Sequence, residues 1–293
     1  MVGVFSLSTG ALLDLAMAPW SGKGTGEHSL FRELLHVFSP GDIMIADKYY
    51  ASFFVIATLM RLGVDVVTPQ HAARGCDFRR GKKIGKGDQL MEWKKPARPS
   101  WMSKEEYAGY PKNITVRETK TASQRPGFRT KTQVIVTTLV DEKDVKSDDL
   151  SELYSLRWFV ELNLRSVKEV MRMDILRGKT PEMIRKEIWA HILAYNLVRK
   201  IMLQAAMLYQ RNPREMSFKL ALQMMSAFRQ AGILREKDRD FYSGFLRAIA
   251  AKKTGKQKRQ GQPRVVKRRP KAFPRMQKPR ALYQKKVKSA WLS

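Results

Sequence analysis

The chain has 293 residues, enough to bury a sizeable core in one large or two modest domains. Its 56 Lys and Arg against 27 Asp and Glu leave a formal charge of +29, the balance of a chain drawn to polyanions, with nucleic acid the obvious partner. One cysteine, Cys76, excludes an intrachain disulfide and any multi-cysteine zinc site, and no run approaches the ~18 apolar residues of a membrane span.

The cysteine count suits a reducing cytoplasm, so a cytoplasmic, nucleoid-associated protein with no membrane role is expected. Charge alone does not separate an enzyme from a basic RNA-binding or structural protein. The four histidines, His28, His36, His71 and His191, stand at no metal-ligand spacing and read as packing or surface residues.

In chain order, the apolar runs Val2 to Ser8 and Ala11 to Ala18, separated by Ser-Thr-Gly, predict two antiparallel strands. A glycine-rich loop from Trp20 lacks the spacing of a phosphate-binding loop, and a helix follows from His28 to Phe38. Ile43 to Ala46 predicts a buried strand that delivers Asp47 at its end, and a helix runs from Phe53 to Leu62. A carboxylate there sits where α/β sheets place ligands; capping of the next helical turn accounts for it equally well. Gly63 to Thr68 is another strand. From Arg74 to Arg98 the chain is rich in Lys, Arg and Gly, with Trp93 and Trp101 interleaved, and short β-like runs follow from Ile114 to Glu118 and Thr132 to Leu139. These features predict a β-rich basic subdomain suited to phosphate contacts and stacking, or a solvated cationic loop.

Leu153, Leu156, Val160, Leu164, Val167 and Met171 recur at the spacing of one apolar helical stripe and predict a long helix packed on a core. At about 100° per residue, Tyr154, Arg157, Glu161 and Lys168 fall within roughly 60° of one another beside that stripe. Arg157 with Glu161, Glu161 with Arg165 and Arg165 with Glu169 are i,i+4 pairs, so a salt-bridged solvated face explains the charges without any function. Pro181 opens a helix through about Gln210 whose Ile188, His191, Ile192, Tyr195, Leu197 and Val198 give it an almost all-round apolar character, expected to be buried against the sheet. Helices follow over Ser217 to Ala231 and Asp240 to Ala251. From Lys252 the chain is a Lys/Arg/Pro/Gln tail without an acid, expected to be disordered in the absence of DNA.

The spacing Tyr154-x2-Arg157-x3-Glu161-x6-Lys168 resembles the Y-x2-R-x3-E-x6-K signature of DDE transposases of bacterial insertion sequences, in the branch with a β-rich insertion. The flanking LYSLRW, ELNLRSVK and LRGKTP, and GDIMIADKYYAS around Asp47, also look like that family, with Lys48 where Arg is usual. The resemblance implies an α/β, ribonuclease H-like mixed sheet flanked by helices with an inserted β-rich subdomain. The divisions expected are 1–69 for the first part of the core, 70–140 for the insertion, 141–235 for the second part with the signature helix, and 236–293 for a helix and the basic tail.

By the same resemblance, Asp47 and Glu161 would be catalytic acids holding Mg²⁺ (or Mn²⁺), and Arg157, Lys168 and Tyr154 would grip and position double-stranded DNA at the transposon end, with a homodimer on the DNA. The family uses three acids, and the first normally lies on a strand before the opening hairpin. Asp14, the one acid in that hairpin, matches no catalytic segment, so the chain looks like a transposase lacking its N-terminal portion. The readings are therefore a metal-dependent strand-cleaving and strand-transferring transposase, inactive if the first acid is absent; a non-catalytic DNA-binding remnant that competes or dimerises with an intact copy; and a basic RNA-binding protein.

Overall fold

The computed structural model describes residues 1–71, 73–122, 132–232 and 239–251, so the expected disordered tail lies outside the described residues. The chain opens with strands β1 (Val2–Phe5) and β2 (Leu12–Ala16), then helix α1 (Glu27–Glu33), β3 (Ile43–Ile45), α2 (Phe53–Arg61) and β4 (Asp65–Pro69). The basic stretch carries β5 (Lys82–Gly85), β6 (Asp88–Lys94), the short helix α3 (Lys104–Ala108), β7 (Asn113–Ala122) and β8 (Thr132–Thr137). Helices α4 (Ser147–Ser155), α5 (Trp158–Arg165), α6 (Pro181–Leu208), α7 (Phe218–Gly232) and α8 (Arg239–Ala251) complete it.

Local chemistry sets these boundaries. Ser52 caps α2, its Oγ accepting from Val55 N–H at 3.4 Å, and Gly63, at φ 70°, supplies the left-handed residue that turns the helix into β4. Thr180 caps α6 and Pro181 occupies its first turn, where the missing N–H costs nothing.

Strands β3 and β4 pair in parallel through the α2 crossover, and the remaining ladders are antiparallel, in the order β3-β4-β8-β7-β6-β5. The strands of the basic stretch thus extend the same six-stranded sheet, while among the described residues β1 and β2 pair with each other and with no other strand. Adjacent residues of β4 face opposite layers: Val66 packs with Ile56 and Leu59 of α2, and Val67 with Ile135 and Leu150 of α4. The result is a mixed α/β sheet flanked by helices, as in a ribonuclease H-like fold.

Two helical expectations need correction. The predicted long helix is interrupted after Ser155, where Phe159 and Val160 bond three residues back, to the carbonyls of Leu156 and Arg157, and it widens into a π turn over Ser166–Val170. Ser166 Oγ donates back to Leu162 C=O at 2.9 Å, a local competitor for the helical ladder at that point. Helix α6 is buried along one face only. Its Ile188, Ile192, Tyr195 and Val198 pack against β1, β2, α7 and α8, whereas Trp189, Leu193 and Leu197 are exposed on the other side. Asn196 ties α6 to the hairpin, bonding Leu12 N–H at 3.0 Å and Leu12 C=O at 2.8 Å. No described helix is long and apolar enough to cross a membrane.

Candidate nucleic-acid and metal site

Asp47 lies two residues past the end of β3 and caps the tight turn Lys48–Tyr50, its Oδ1 accepting from Tyr49 N–H at 2.7 Å. The capping role is therefore real, but it occupies one oxygen; no hydrogen bond engages Oδ2 among the described residues. Thr68 Oγ1 donates to Asp47 C=O at 2.7 Å and fixes the strand end against β4. Because β3 and β4 run parallel, both present their C-terminal ends at the same edge, the position at which parallel sheets assemble ligand sites.

From the end of β4 come Gln70, His71 and Arg74. With Asp47, Lys48, Tyr154 and Arg157 they line a cavity of about 720 Å³. Gln70 Nε2 is buried there without a hydrogen-bond partner among the described residues. Arg74 lies over the Trp93 ring at 3.8 Å, and burial lowers its pKa, with Glu118 opposing the shift. Sequence reasoning missed Gln70, His71 and Arg74. The available signal was their position just beyond a strand parallel to the one that delivers Asp47.

Arg157 also lines a second, mostly apolar cavity of about 800 Å³, again with Asp47 and now with Lys168. Its Nη2 donates to Glu161 Oε1 at 2.7 Å. Burial acts to lower the Arg157 pKa, but the bond to Glu161 and the Tyr154 phenol outweigh it and hold the guanidinium above its ordinary value. Glu161 lines neither cavity itself and reaches the group through Arg157. Arg165 turns to Glu169 at 2.7 Å, so two of the three expected i,i+4 pairs form among the described residues. Lys168, exposed in the π turn, has no carboxylate partner among them.

Other candidates fall outside the group. Asp14 pairs with His36 at 3.0 Å and lines neither cavity. Trp93, read as a stacking platform, is 2% exposed because it points inward and donates from Nε1 to Glu118 at 3.1 Å. Trp101 remains half exposed, with the Arg32 guanidinium 4.0 Å from its ring.

A family model described as a transposase DDE domain matches residues 1–197. The chain belongs to the DDE transposase family. The chain is 28% identical over 270 residues to the transposase InsG of insertion sequence element IS4 from Escherichia coli K12, a match covering 89% of this chain and 58% of that protein. It is 32% identical over 65 residues to the putative transposase InsL of IS186A from the same organism, covering 22% of this chain and 18% of that one. The chain thus spans little more than half the length of the IS4 relative.

Transposases act on DNA, and DDE members use divalent metal. The donor chemistry here suits a hard cation in kind, since carboxylate oxygens are its preferred ligands. It falls short in number: among the described residues no three or more of His, Cys, Asp and Glu converge on one point. Asp47 lines both cavities with Arg157, Glu27 and Asp42 line the apolar one with it, and Glu161 reaches the group through Arg157.

Proposed function

We propose that this transposase binds the ends of a mobile DNA element and that Asp47 and Glu161 are two acids of its strand-cleaving centre. The observation that carries this reading is Arg157, which shares both cavities with Asp47 while holding Glu161 at 2.7 Å. A bound Mg²⁺ or Mn²⁺ would activate a water or 3′-hydroxyl and stabilise the leaving oxygen at phosphorus. Asp47 Oδ2 and the carboxylate of Glu161 are the groups that would hold it. Arg157 orients Glu161 and meets a DNA phosphate; Lys168, with no acidic partner among the described residues, adds a point charge to the same backbone. Tyr154 positions the DNA end beside Arg157, whose guanidinium lies 5.9 Å from its ring.

In this reading residues 1–69 and 141–235 form the ribonuclease H-like core, 70–140 the basic β-rich insertion, and 236–293 a helix and basic tail, with two copies acting together on double-stranded DNA. With two acids where the resemblance calls for three, the chain alone holds its metal weakly. Strand transfer in Mg²⁺ is then expected to be negligible, with at most weak nicking in Mn²⁺, the more permissive ion.

The absence of a three-acid group among the described residues favours a second reading, a DNA-binding protein that competes or dimerises with an intact transposase. A labelled transposon-end substrate separates the two. Mn²⁺-dependent nicking lost in Glu161→Ala supports catalysis; tight binding with no nicking, and inhibition of an intact transposase, supports the second reading.

A further inference from the structure

Asn163 sits about 200° around α5 from Glu161 and is fully buried, on the side that meets α6. Its Oδ1 accepts from two arginines at once: Arg199 Nη2 of α6 at 3.1 Å and Arg214 Nη1, from the helical turn Pro213–Glu215, at 3.0 Å. The opposite amide orientation would aim N–H groups at both cations, so the chemistry fixes the oxygen there. Both lone pairs are then in use, and Nδ2 is left buried without an acceptor.

The two guanidinium groups find few other acceptors. Arg199, 6% exposed, donates from Nε to the Tyr195 hydroxyl at 3.0 Å, and that hydroxyl donates its own proton to Gly10 C=O at 2.5 Å. Burial raises the Tyr195 pKa even against the pull of Arg199, so the phenol stays neutral and supplies no negative charge. Arg214 Nη2 reaches Phe159 C=O at 3.4 Å, and its Nε is buried without a partner. The Phe159 and Phe218 rings lie 4.5 and 4.9 Å from the guanidinium carbons of Arg214 and Arg199, which attracts the cations and leaves the net charge unchanged. No carboxylate pairs with either arginine among the described residues. Burial, then the neighbouring Arg199, pushes the Arg214 pKa down to about 10. The β1–β2 turn cannot supply an acid: Gly10 has φ 78°, and a Cβ there would meet Arg214 Nη1 at 1.9 Å.

Two buried positive charges and left-over N–H groups on the same three side chains call for a negatively charged acceptor. Depth decides its kind. A phosphate within duplex DNA carries its sugars with it and does not reach a fully buried Asn163, whereas a small free ion does. We propose that Arg199, Arg214 and Asn163 form a binding site for one small inorganic anion, chloride or an ion of similar size, which accepts from Arg214 Nε and Asn163 Nδ2. Bound there, the anion ties α5, which carries Glu161 on its other side, to α6 and the β1–β2 turn. The inference does not rest on the DNA-cleaving reading of Asp47 and Glu161.

The test is thermal melting of the full chain at constant ionic strength, with sodium gluconate, whose anion is too large for the site, replaced stepwise by sodium chloride. Asn163→Asp and Arg214→Gln are melted beside it. Asn163→Asp gives both arginines a fixed carboxylate in place of the ion, and Arg214→Gln removes one charge and one free donor. The proposal expects the melting temperature of the unaltered chain to rise saturably with chloride. It expects Asn163→Asp to melt higher than the unaltered chain in gluconate, and the chloride response of both variants to be about fivefold smaller or less. Should Arg214→Gln fail to fold, Asn163→Asp alone decides. Equal chloride responses in the unaltered chain and Asn163→Asp would assign the ion to surface lysines and overturn the proposal. So would no saturable rise up to about 0.5 M chloride, which would leave these N–H groups to water. An Asn163→Asp chain that melts lower in gluconate, or does not fold, would contradict the charge imbalance itself and overturn the proposal as well.

Discussion

Arg157 Nη2 lies 2.7 Å from Glu161 Oε1 across one helical turn, and the same arginine lines both cavities together with Asp47. Both side chains of the pair are partly exposed, and a surface i,i+4 pair stabilises a helix by only about 0.3–0.5 kcal/mol, so this one contributes more to placing two charges than to holding the fold. Arg157→Ala is therefore expected to leave urea stability almost unchanged. It should weaken binding to a transposon-end duplex about equally across sequences and reduce the magnitude of the log-affinity against log-salt slope by about one. Fluorescence anisotropy at several salt concentrations checks it; an unchanged slope would remove Arg157 from the DNA interface.

The buried ion pair of Arg117 and Asp88 is a different case. Arg117 is 1% exposed, its Nη2 lies 2.6 Å from Asp88 Oδ2, and its Nη1 donates to Val145 C=O at 2.6 Å, binding β6 and β7 to the segment before α4. Arg117→Ala strands a buried carboxylate and should cost about 3–5 kcal/mol. Replacing both residues with apolar side chains of similar volume should cost much less. Urea unfolding followed by circular dichroism measures both, and a single-variant cost below about 1 kcal/mol would contradict the assignment.

Cys76 offers a pH test. Burial, then its 3.2 Å hydrogen bond to Glu118 Oε2, pushes the thiol up to about 12. The folded protein binds the thiol proton more tightly than the unfolded chain. This contribution to stability is therefore complete below the ordinary thiol range and lost as pH rises toward 12. At pH 8.5 iodoacetamide should alkylate the folded chain on the order of a hundredfold or more slower than the urea-unfolded chain, because the thiolate is the nucleophile. Comparable rates would show an exposed, ordinary thiol.

The placement of several candidate residues in the fold was legible because its signals are local. A short apolar run ending in an acid placed Asp47 at a strand end, and residue spacing placed Tyr154, Arg157 and Glu161 on neighbouring turns. Helical arithmetic failed where the helix is not regular: neither the tight turn at 156–160 nor the π turn at Ser166–Val170 has a Gly or Pro to mark it. Gln70, His71 and Arg74 were hidden because they meet Asp47 only through the β3–β4 pairing. Trp93 was grouped with the basic residues beside it, as a stacking surface or part of a cationic loop, since its partner, the buried Glu118, lies on another strand, 25 residues along the chain. The outer face of α6 was read as buried because an apolar residue such as Leu193 does not declare which layer, if any, covers it.

The most direct test of the central claim maps the metal without requiring catalysis. With Fe²⁺ in place of Mg²⁺, the chain bound to a transposon-end duplex is treated with ascorbate and peroxide, and hydroxyl-radical cuts in the polypeptide are located by mass spectrometry. If Asp47 and Glu161 hold one divalent centre, cuts appear beside both residues, excess Mg²⁺ suppresses them, and either Asp47→Asn or Glu161→Gln removes both sets. Cuts beside only one of the two, or cuts that survive both substitutions, would contradict the account.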